Sequence, residues 1–504
     1  MVNSFLNLLQ GFTVVANWSC LVLMTLGTLA GVIIGAIPGM TGAMAIALLV
    51  PVTFTMEPIA SICMLLGIYC GAVYGGSITA ILINTPGTPA SAATAYDGFA
   101  MAKKGKAGRA LSMALWASLV GGLFSALLLT FISPIIAKFA LLFGPAEYFF
   151  LILLGVVVVA GVSGNNLNKG LISGAIGILV STVGMDPVTG TSRLAFGNIN
   201  LLNGLSSIVV LIGLSAVSEI LLQVEKVGRE NQKIELPQME GDQSLKPKEF
   251  FSYWKTLLKG SLIGSYIGAI PGIGSSVASF VSYNEAIRSS KHPETYGKGE
   301  IEGIAATESA NNAVTGAALI PLLTLGIPGD NVTAILLGAF MLQGLTPGPM
   351  LFSNHGPMLY AIFAGLIIVN IIMVGTGMLT IKFAPAITKA PGSLMFPIIF
   401  IVCCLGAYAV EINAFQILVI LVFGVMGYLF KKMDIPTAPF LIAFILGGSL
   451  ESNLRRMLTL FKGHFLDVFT SPVVLIFVAL IVLSLVYVVR SQTKQSAGKD
   501  GETE

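Results

Sequence analysis

The chain has 504 residues, of which 55% are hydrophobic and only 10% charged, with a net charge of +3. Soluble domains carry about 25% charged residues, so this chain lacks the charge to coat a water-facing surface of its size. The near-neutral balance, with Lys and Arg in loops rather than in a stripe, also removes support for nucleic-acid binding.

Apolar runs such as "SSIVVLIGLSAV" (Ser206 to Val217) and "PVVLIFVALIVLSLVYVV" (Pro472 to Val489) approach the ~20 residues that cross ~30 Å of hydrocarbon. They predict an all-α polytopic membrane protein set in a lipid bilayer. No residue before Glu57 is charged, so the basic segment of a cleaved signal peptide is missing and the first apolar stretch is expected to remain as a transmembrane element.

In chain order, the first feature is "GVIIGAIPGMTG" (Gly31 to Gly42), an apolar stretch interrupted by Pro38-Gly39. A second break, "NTPGTPAS" (Asn84 to Ser91), is followed by "AKKGKAGR" (Ala102 to Arg109), four basic residues with no acidic one. Spans are expected near 110–132, 136–160, 170–184 and 204–222. The polar stretch from Glu225 to Lys259 mixes both charge signs and reads as a solvated linker with a surface helix. It divides the chain into a first membrane repeat (1–222), a cytoplasmic linker (223–259), a second membrane repeat (260–490) and a polar tail (491–504).

The second half restates the first. "GSYIGAIPGIGS" (Gly264 to Ser275) places Pro271 233 residues after Pro38, and the same offset maps Gly31, Gly35 and Gly39 onto Gly264, Gly268 and Gly272. The fourth break, "GIPGDNVT" (Gly326 to Thr333), sets Pro328 242 residues after Pro86. A lone GxxxG is weak, being common in membrane helices; four aligned positions and then a second Pro-Gly in the same order point to an internal repeat. The basic loops alternate. Lysines and arginines follow the second break in the first half, but the first break in the second half, within "IRSSKHPETYGKGE" (Ile287 to Glu300). By the positive-inside rule the halves are expected to lie in opposite senses, the inverted-repeat arrangement of many secondary transporters.

Lys382, Lys389, Lys431 and Lys432 mark expected cytoplasmic loops. "ESNLRRMLTLFKGH" (Glu451 to His464) fits two topologies, one with 436–450 spanning and its arginines outward, one with that segment re-entrant and the C-terminus outside. The five cysteines lie in apolar segments without CxxC spacing and the three histidines are scattered, so neither suggests a metal or redox site.

Backbone that is not helical survives in hydrocarbon only against protein or a water-lined cavity. Proline removes an amide and glycine permits unusual angles, so each break leaves the free amides of a new half-helix, a ready anion site. Carbonyls and hydroxyls at the same places can hold a cation such as Na+. The candidate substrate-binding residues are Gly39, Thr41, Gly42, Thr85, Gly87, Thr88, Gly272, Gly274, Ser275, Ser276, Gly329 and Asn331. The candidate coupling-ion residues are Asp330, Asn311, Asn312 and Asn84. N-capping favours the same residue types, and helix–helix hydrogen bonding accounts equally for the Asn pair in "ESANNAVTG" (Glu308 to Gly316). Asp330 is the sharpest candidate, because a carboxylate near the bilayer centre costs ~2.5–3.5 kcal/mol on insertion scales and needs a partner or water. Glu147, Glu219 and Glu411 are expected at interfaces. Arg193, Arg455 and Arg456 are expected as solvated loop charge.

At these residues the sequence resembles a family. "GAIPGMTG", "YGGSITAILINTPGTPASAATAYDGFAMAKKGKAGRAL" and "AATESANNAVTGAALIPLLTLGIPGDNVTAILLGAF" look like signature stretches of the large membrane subunit of the tripartite tricarboxylate transporters. Departures fall at Tyr96, Phe99 and Ala100, where the family more often has Leu, Tyr and Pro. The resemblance implies a bacterial inner-membrane secondary transporter working with a small four-helix membrane subunit and a periplasmic solute-binding protein. It would import a carboxylate such as citrate by symport with Na+ or H+, with no other cofactor. No Walker-type GxxxxGK[ST] motif occurs, so ATP hydrolysis has no sequence support, and neither HExxH nor GxSxG points to a membrane hydrolase. An ion or solute channel is the competing expectation, since broken helices also build selectivity filters.

Overall fold

The protein is described by a computed structural model, which covers residues 2–37, 40–162, 167–186, 189–227, 245–387 and 392–500. Pro38 and Gly39 of the first break, the middle of the polar linker, Lys389 and the last four residues lie outside the described residues.

The described chain is almost wholly helical. Its first half contains α1 (Val2–Val15), α2 (Trp18–Gly35), α3 (Gly42–Leu49), α4 (Pro58–Ile83), α5 (Ala92–Lys103), α6 (Ala107–Ala140), α7 (Pro145–Val162) and α8 (Leu167–Ser181). A small antiparallel hairpin follows, with β1 (Gly184–Met185) paired to β2 (Ser192–Arg193). Then α9 (Ser207–Ile212) passes through a π-helical turn, Gly213–Val217, into α10 (Ser218–Val227). The second half has α11 (Pro247–Ser252), α12 (Trp254–Gly268), α13 (Gly274–Ser289), α14 (Ile301–Ala317), α15 (Leu319–Leu325), α16 (Asn331–Leu342), α17 (Pro349–Asn354) and α18 (Gly356–Ile387). It closes with α19 (Gly392–Glu411), α20 (Phe415–Lys432), α21 (Thr437–Leu460) and α22 (Pro472–Asp500).

Seven of the described helical segments are long and apolar enough to cross a membrane. Large apolar side chains also face outward along the helices, Leu179 and Leu483 among them, as lipid contact requires. The chain is an all-α polytopic membrane protein.

Two expected boundaries shift. No loop separates spans near residue 134: α6 runs through Pro134 to Ala140, because membrane helices accommodate a proline when neighbours take up the freed backbone groups. The re-entrant option for 436–450 also falls, since α21 is one unbroken helix of 24 residues, about 36 Å at 1.5 Å per residue. Its Arg455 is not solvated loop charge. The side chain pairs with Asp186 Oδ2 at 2.7 Å and Glu451 Oε1 at 2.6 Å, while Arg193, on β2, pairs with Glu451 Oε1 at 2.8 Å. Local carboxylates hold these cations, which a loop-charge count does not see; Arg456 is exposed.

At the centre, α4 and α14 are buried almost throughout, and glycines set how closely their neighbours approach. A Cβ on Gly27, Gly31 or Gly35 of α2 would overlap the carbonyl of Met64, Ile68 or Ala72 on α4. In the second half, Gly264 of α12 lies as closely on the Ala310 carbonyl of α14, Gly260 meets the Ala306 carbonyl and the Ser309 hydroxyl, and Gly268 meets Val314. These pairs carry the two sequence offsets noted above, 233 for the glycines and 242 for their partners. Small residues of this kind let membrane helices pack backbone to backbone.

Candidate functional site

All four helix interruptions are present among the described residues, although two residues of the first are not described. α2 stops at Gly35 and α3 starts after Thr41; α4 ends at Asn84, which takes a left-handed conformation at φ 53°. In the second half α12 gives way to α13 across Gly272 and Gly274, both at positive φ, and α15 ends on Gly326 at φ 73°. Gly272 and Gly274 supply backbone angles that L side chains adopt only at a cost.

Within each half the breaks are packed on one another. A Cβ on Gly87 would overlap the Gly35 carbonyl at the end of α2, while Gly87 N–H donates to Gly76 O of α4 at 3.2 Å; Gly272 N–H donates to Gly329 O at 2.7 Å. A Cβ on Gly87 would press on Gly76, and one on Gly329 would press on Ala318, again at the common offset of 242.

The four breaks converge on one cavity of about 530 Å³. Thr41 and Gly42 border it from the first break, Thr88 from the second, Gly272 to Ser276 from the third, and Asp330 with Asn331 from the fourth. Tyr69 of α4, Lys431 of α20 and Thr437 of α21 complete the polar lining.

Capping distinguishes the helix starts around this cavity. Thr41 Oγ1 accepts from Met44 N at 3.3 Å. At the second break Thr88 N–H donates to Ser91 Oγ at 3.4 Å and Ser91 Oγ donates back to Thr88 O at 2.8 Å. Asp330 Oδ1 accepts from Thr333 N at 2.8 Å, and Asp330 N–H donates to Thr333 Oγ1 at 2.8 Å. α13 and α21 differ: neither receives a side-chain cap, and the first residues of both line the cavity. The opening amides of a helix have no partner within it and carry the positive end of the dipole, so two such ends face the same space. Lys431 adds the one cationic side chain of the described lining, held by Glu219 Oε2 at 2.7 Å. These two helix starts and the paired Lys431 lie in the same lining as the Asp330 carboxylate.

The expected substrate residues divide. Thr41, Gly42, Thr88, Gly272, Gly274, Ser275, Ser276 and Asn331 line the cavity. Gly87 and Gly329 are buried behind it in the break-to-break contacts. Thr85 is exposed, with its hydroxyl turned to Ile83 O; Gly39 lies outside the described residues.

The expected coupling-ion residues are not brought together. Asp330 borders the cavity, with Oδ2 accepting from the Tyr69 hydroxyl at 2.8 Å. Asn84 is an exposed helix end. Asn311 and Asn312 are fully buried on α14, where α15 intervenes before the break, so they do not line the cavity. Tyr69, Lys431, Thr437 and the start of α21 were not anticipated. Nothing local marks Tyr69 within apolar α4, and Lys431 reads from sequence as a loop charge.

Comparison with known proteins identifies relatives. The sequence model of the tripartite tricarboxylate transporter TctA family matches residues 21–442. An uncharacterized 52.8 kDa protein in the TAR-I ttuC' 3'region of Agrobacterium vitis is 37% identical over 506 residues, covering 98% of both chains. An uncharacterized protein in the TAR-II ttuC' 3'region of the same organism is 37% identical over 236 residues, 46% of this chain and 98% of its own. No solved structure matches the chain.

Proposed function

The chain belongs to the tripartite tricarboxylate transporter TctA family, and from that premise we propose that it is the translocating membrane subunit of a binding-protein-dependent secondary transporter importing a carboxylate. The observation that carries the reading is the convergence of four helix breaks and two uncapped helix starts on one cavity. In this reading one carboxylate of the cargo takes the amides and hydroxyls of Gly274, Ser275 and Ser276. A second lies toward Thr437 and Lys431, where the ammonium is the counter-charge. Fixed dipoles and one lysine favour an organic anion with several carboxylates, such as citrate, over a neutral solute.

The matched glycine contacts of α2 on α4 and α12 on α14 support two repeats, and the alternation of basic loops supports their opposite orientation. A small four-helix membrane subunit and a periplasmic solute-binding protein complete the assembly in a bacterial inner membrane. The driving force is a Na+ or H+ gradient, and the subunit itself performs no catalysis.

The test is uptake of labelled citrate and other di- and tricarboxylates into proteoliposomes holding this chain with both partner proteins. Uptake that requires all components and collapses with the cation gradient is expected. Continuous conductance in electrical recordings, without gradient-driven accumulation, would replace the transporter with a channel.

A further inference from the structure

Away from the cavity, α14 carries Thr307, Glu308, Ser309, Asn311, Asn312 and Thr315, all buried. Glu308 is 0% exposed, and no Lys, Arg or His among the described residues pairs with it. Its neighbours are neutral: Thr94 Oγ1 on α5 at Oε1, and Ser118 Oγ on α6 at 3.3 Å from Oε2. Ser77 of α4 and Asn311 also lie against the carboxyl group, yet neither is in hydrogen-bonding geometry with any group.

Some of the hydrogens here are committed, while those of the Ser77 hydroxyl and the Asn311 amide have no acceptor in bonding geometry. Ser118 has one, shared between Ala114 O at 2.7 Å and Glu308 Oε2 at 3.3 Å, and its oxygen accepts from Asn312 Nδ2 at 2.7 Å. Thr307 Oγ1 lies 3.1 Å from Ile304 O and 3.0 Å from Thr94 Oγ1. Thr94 thus has one hydrogen for both Thr307 and Glu308. The buried carboxylate is thus held only by hydroxyl hydrogens that it shares with other acceptors, and no cationic side chain among the described residues balances its charge. Asn311 Oδ1 and Asn312 Oδ1 are also buried without a donor, and Ser77 Oγ and Asn311 Nδ2 are buried without any partner. Buried polar groups are nearly always satisfied, and an unsatisfied set signals an ion or water. One proton on Glu308 supplies one donor and cannot match both amide oxygens. A cation of single charge balances the carboxylate and takes neutral oxygens as further ligands.

We infer that Glu308, with Ser77, Thr94, Ser118, Asn311 and Asn312, forms a binding site for a monovalent alkali cation, with Na+ the ion to test. The site is separate from the carboxylate cavity but shares its framework. Tyr69 and Ser77 are both on α4, and Thr94 is on α5, just beyond the Thr88–Ser91 break. The inference deepens the transport reading by giving its coupling ion a place, although binding can be measured without transport.

The experiment is thermal unfolding and ²²Na+ binding of the purified full-length chain, with NaCl exchanged against choline chloride at constant ionic strength and several pH values. Wild type is expected to bind Na+ and to be stabilised saturably, as for any ligand held only by the folded state. Glu308→Gln is expected to stay folded, because it removes a buried charge without changing shape, and to lose the Na+ response. Ser77→Ala and Asn311→Ala are expected to keep their stability without Na+, since neither side chain has a bond to lose, and to bind Na+ roughly tenfold more weakly or worse. A Na+-independent wild type, a response retained in Glu308→Gln and Ser77→Ala, or stability that follows pH alone would overturn the inference. Carboxylate uptake that continues without any Na+ response would sink this site and leave the cavity reading standing. A Na+ response in a chain that carries no carboxylate would do the reverse.

Discussion

The Tyr69 hydroxyl donates a 2.8 Å hydrogen bond to Asp330 Oδ2, joining residues 261 positions apart. Asp330 Oδ1 is taken by the Thr333 amide and hydroxyl, at 2.8 and 2.7 Å. Both carboxylate oxygens therefore have partners. The residue singled out in sequence as a cation ligand caps α16 and fastens the fourth break to α4.

Two substitutions separate those roles. Asn caps a helix about as well as Asp, so Asp330→Asn should hold stability within ~1 kcal/mol while lowering uptake through the altered cavity wall. Tyr69→Phe removes a hydrogen bond to a charged acceptor and should cost about 1.5–3 kcal/mol. Thermal denaturation and initial uptake rates on the same preparations measure both; wild-type uptake by a folded Asp330→Asn protein would leave the residue as a cap alone.

Lys431 gives a second expectation. Lys431→Gln removes the cavity's cation and should raise the half-saturating carboxylate concentration by about tenfold or more, with less effect on maximal rate. Glu219→Gln frees the ammonium from its 2.7 Å partner and should tighten binding. Competition curves with the two variants and their combination test this, and equal affinities across the set would remove Lys431 from the site.

Positive φ provides a third. Gly274 at φ 73° has only Asp330 Cβ within 4.0 Å of a new Cβ, so Gly274→Ala costs about 1–2 kcal/mol from backbone strain. It should also turn the first α13 amides and weaken carboxylate binding. Gly272→Ala adds a clash at 2.7 Å with Val159 and should be markedly less stable. Denaturation midpoints of the two variants should fall in that order.

The matched packing yields a fourth. Gly31→Leu and Gly264→Leu each drive a side chain into a facing carbonyl, at Ile68 and Ala310. Both should lose at least the ~1–3 kcal/mol typical of overpacking, and by similar amounts. Folded yield after detergent extraction measures the loss; a tolerant Gly264→Leu beside an intolerant Gly31→Leu would contradict equivalent contacts.

How far the sequence carried the fold follows from where its signals are local. Pro-Gly pairs inside apolar runs report directly on backbone geometry, so the interruptions and their offsets were readable, and so were the glycines that now prove to be contact points. Convergence is non-local. Tyr69 looks like any aromatic residue of a buried helix until Asp330 is seen opposite it. Lys431 resembles a loop charge until α21 turns back and presents its first residues to the same cavity. Asn311 and Asn312 stand out in sequence as a polar pair, while Glu308, in the same nine residues, has no local signal of its burial. Only the approach of α5 and α6 shows that it is the centre of that cluster. Arg193 and Arg455 misled for the same reason, their acidic partners being more than 250 residues away or on a neighbouring turn.

The bond from Gly272 N–H to Gly329 O is made wholly of main chain, so among side-chain changes only a proline at 272 removes its donor. Two gaps in separate helices are riveted by a link that every other substitution can strain but not edit out. If cargo crosses by a tilt of part of the molecule, those gaps travel as a single plate, and the sliding seam must run elsewhere.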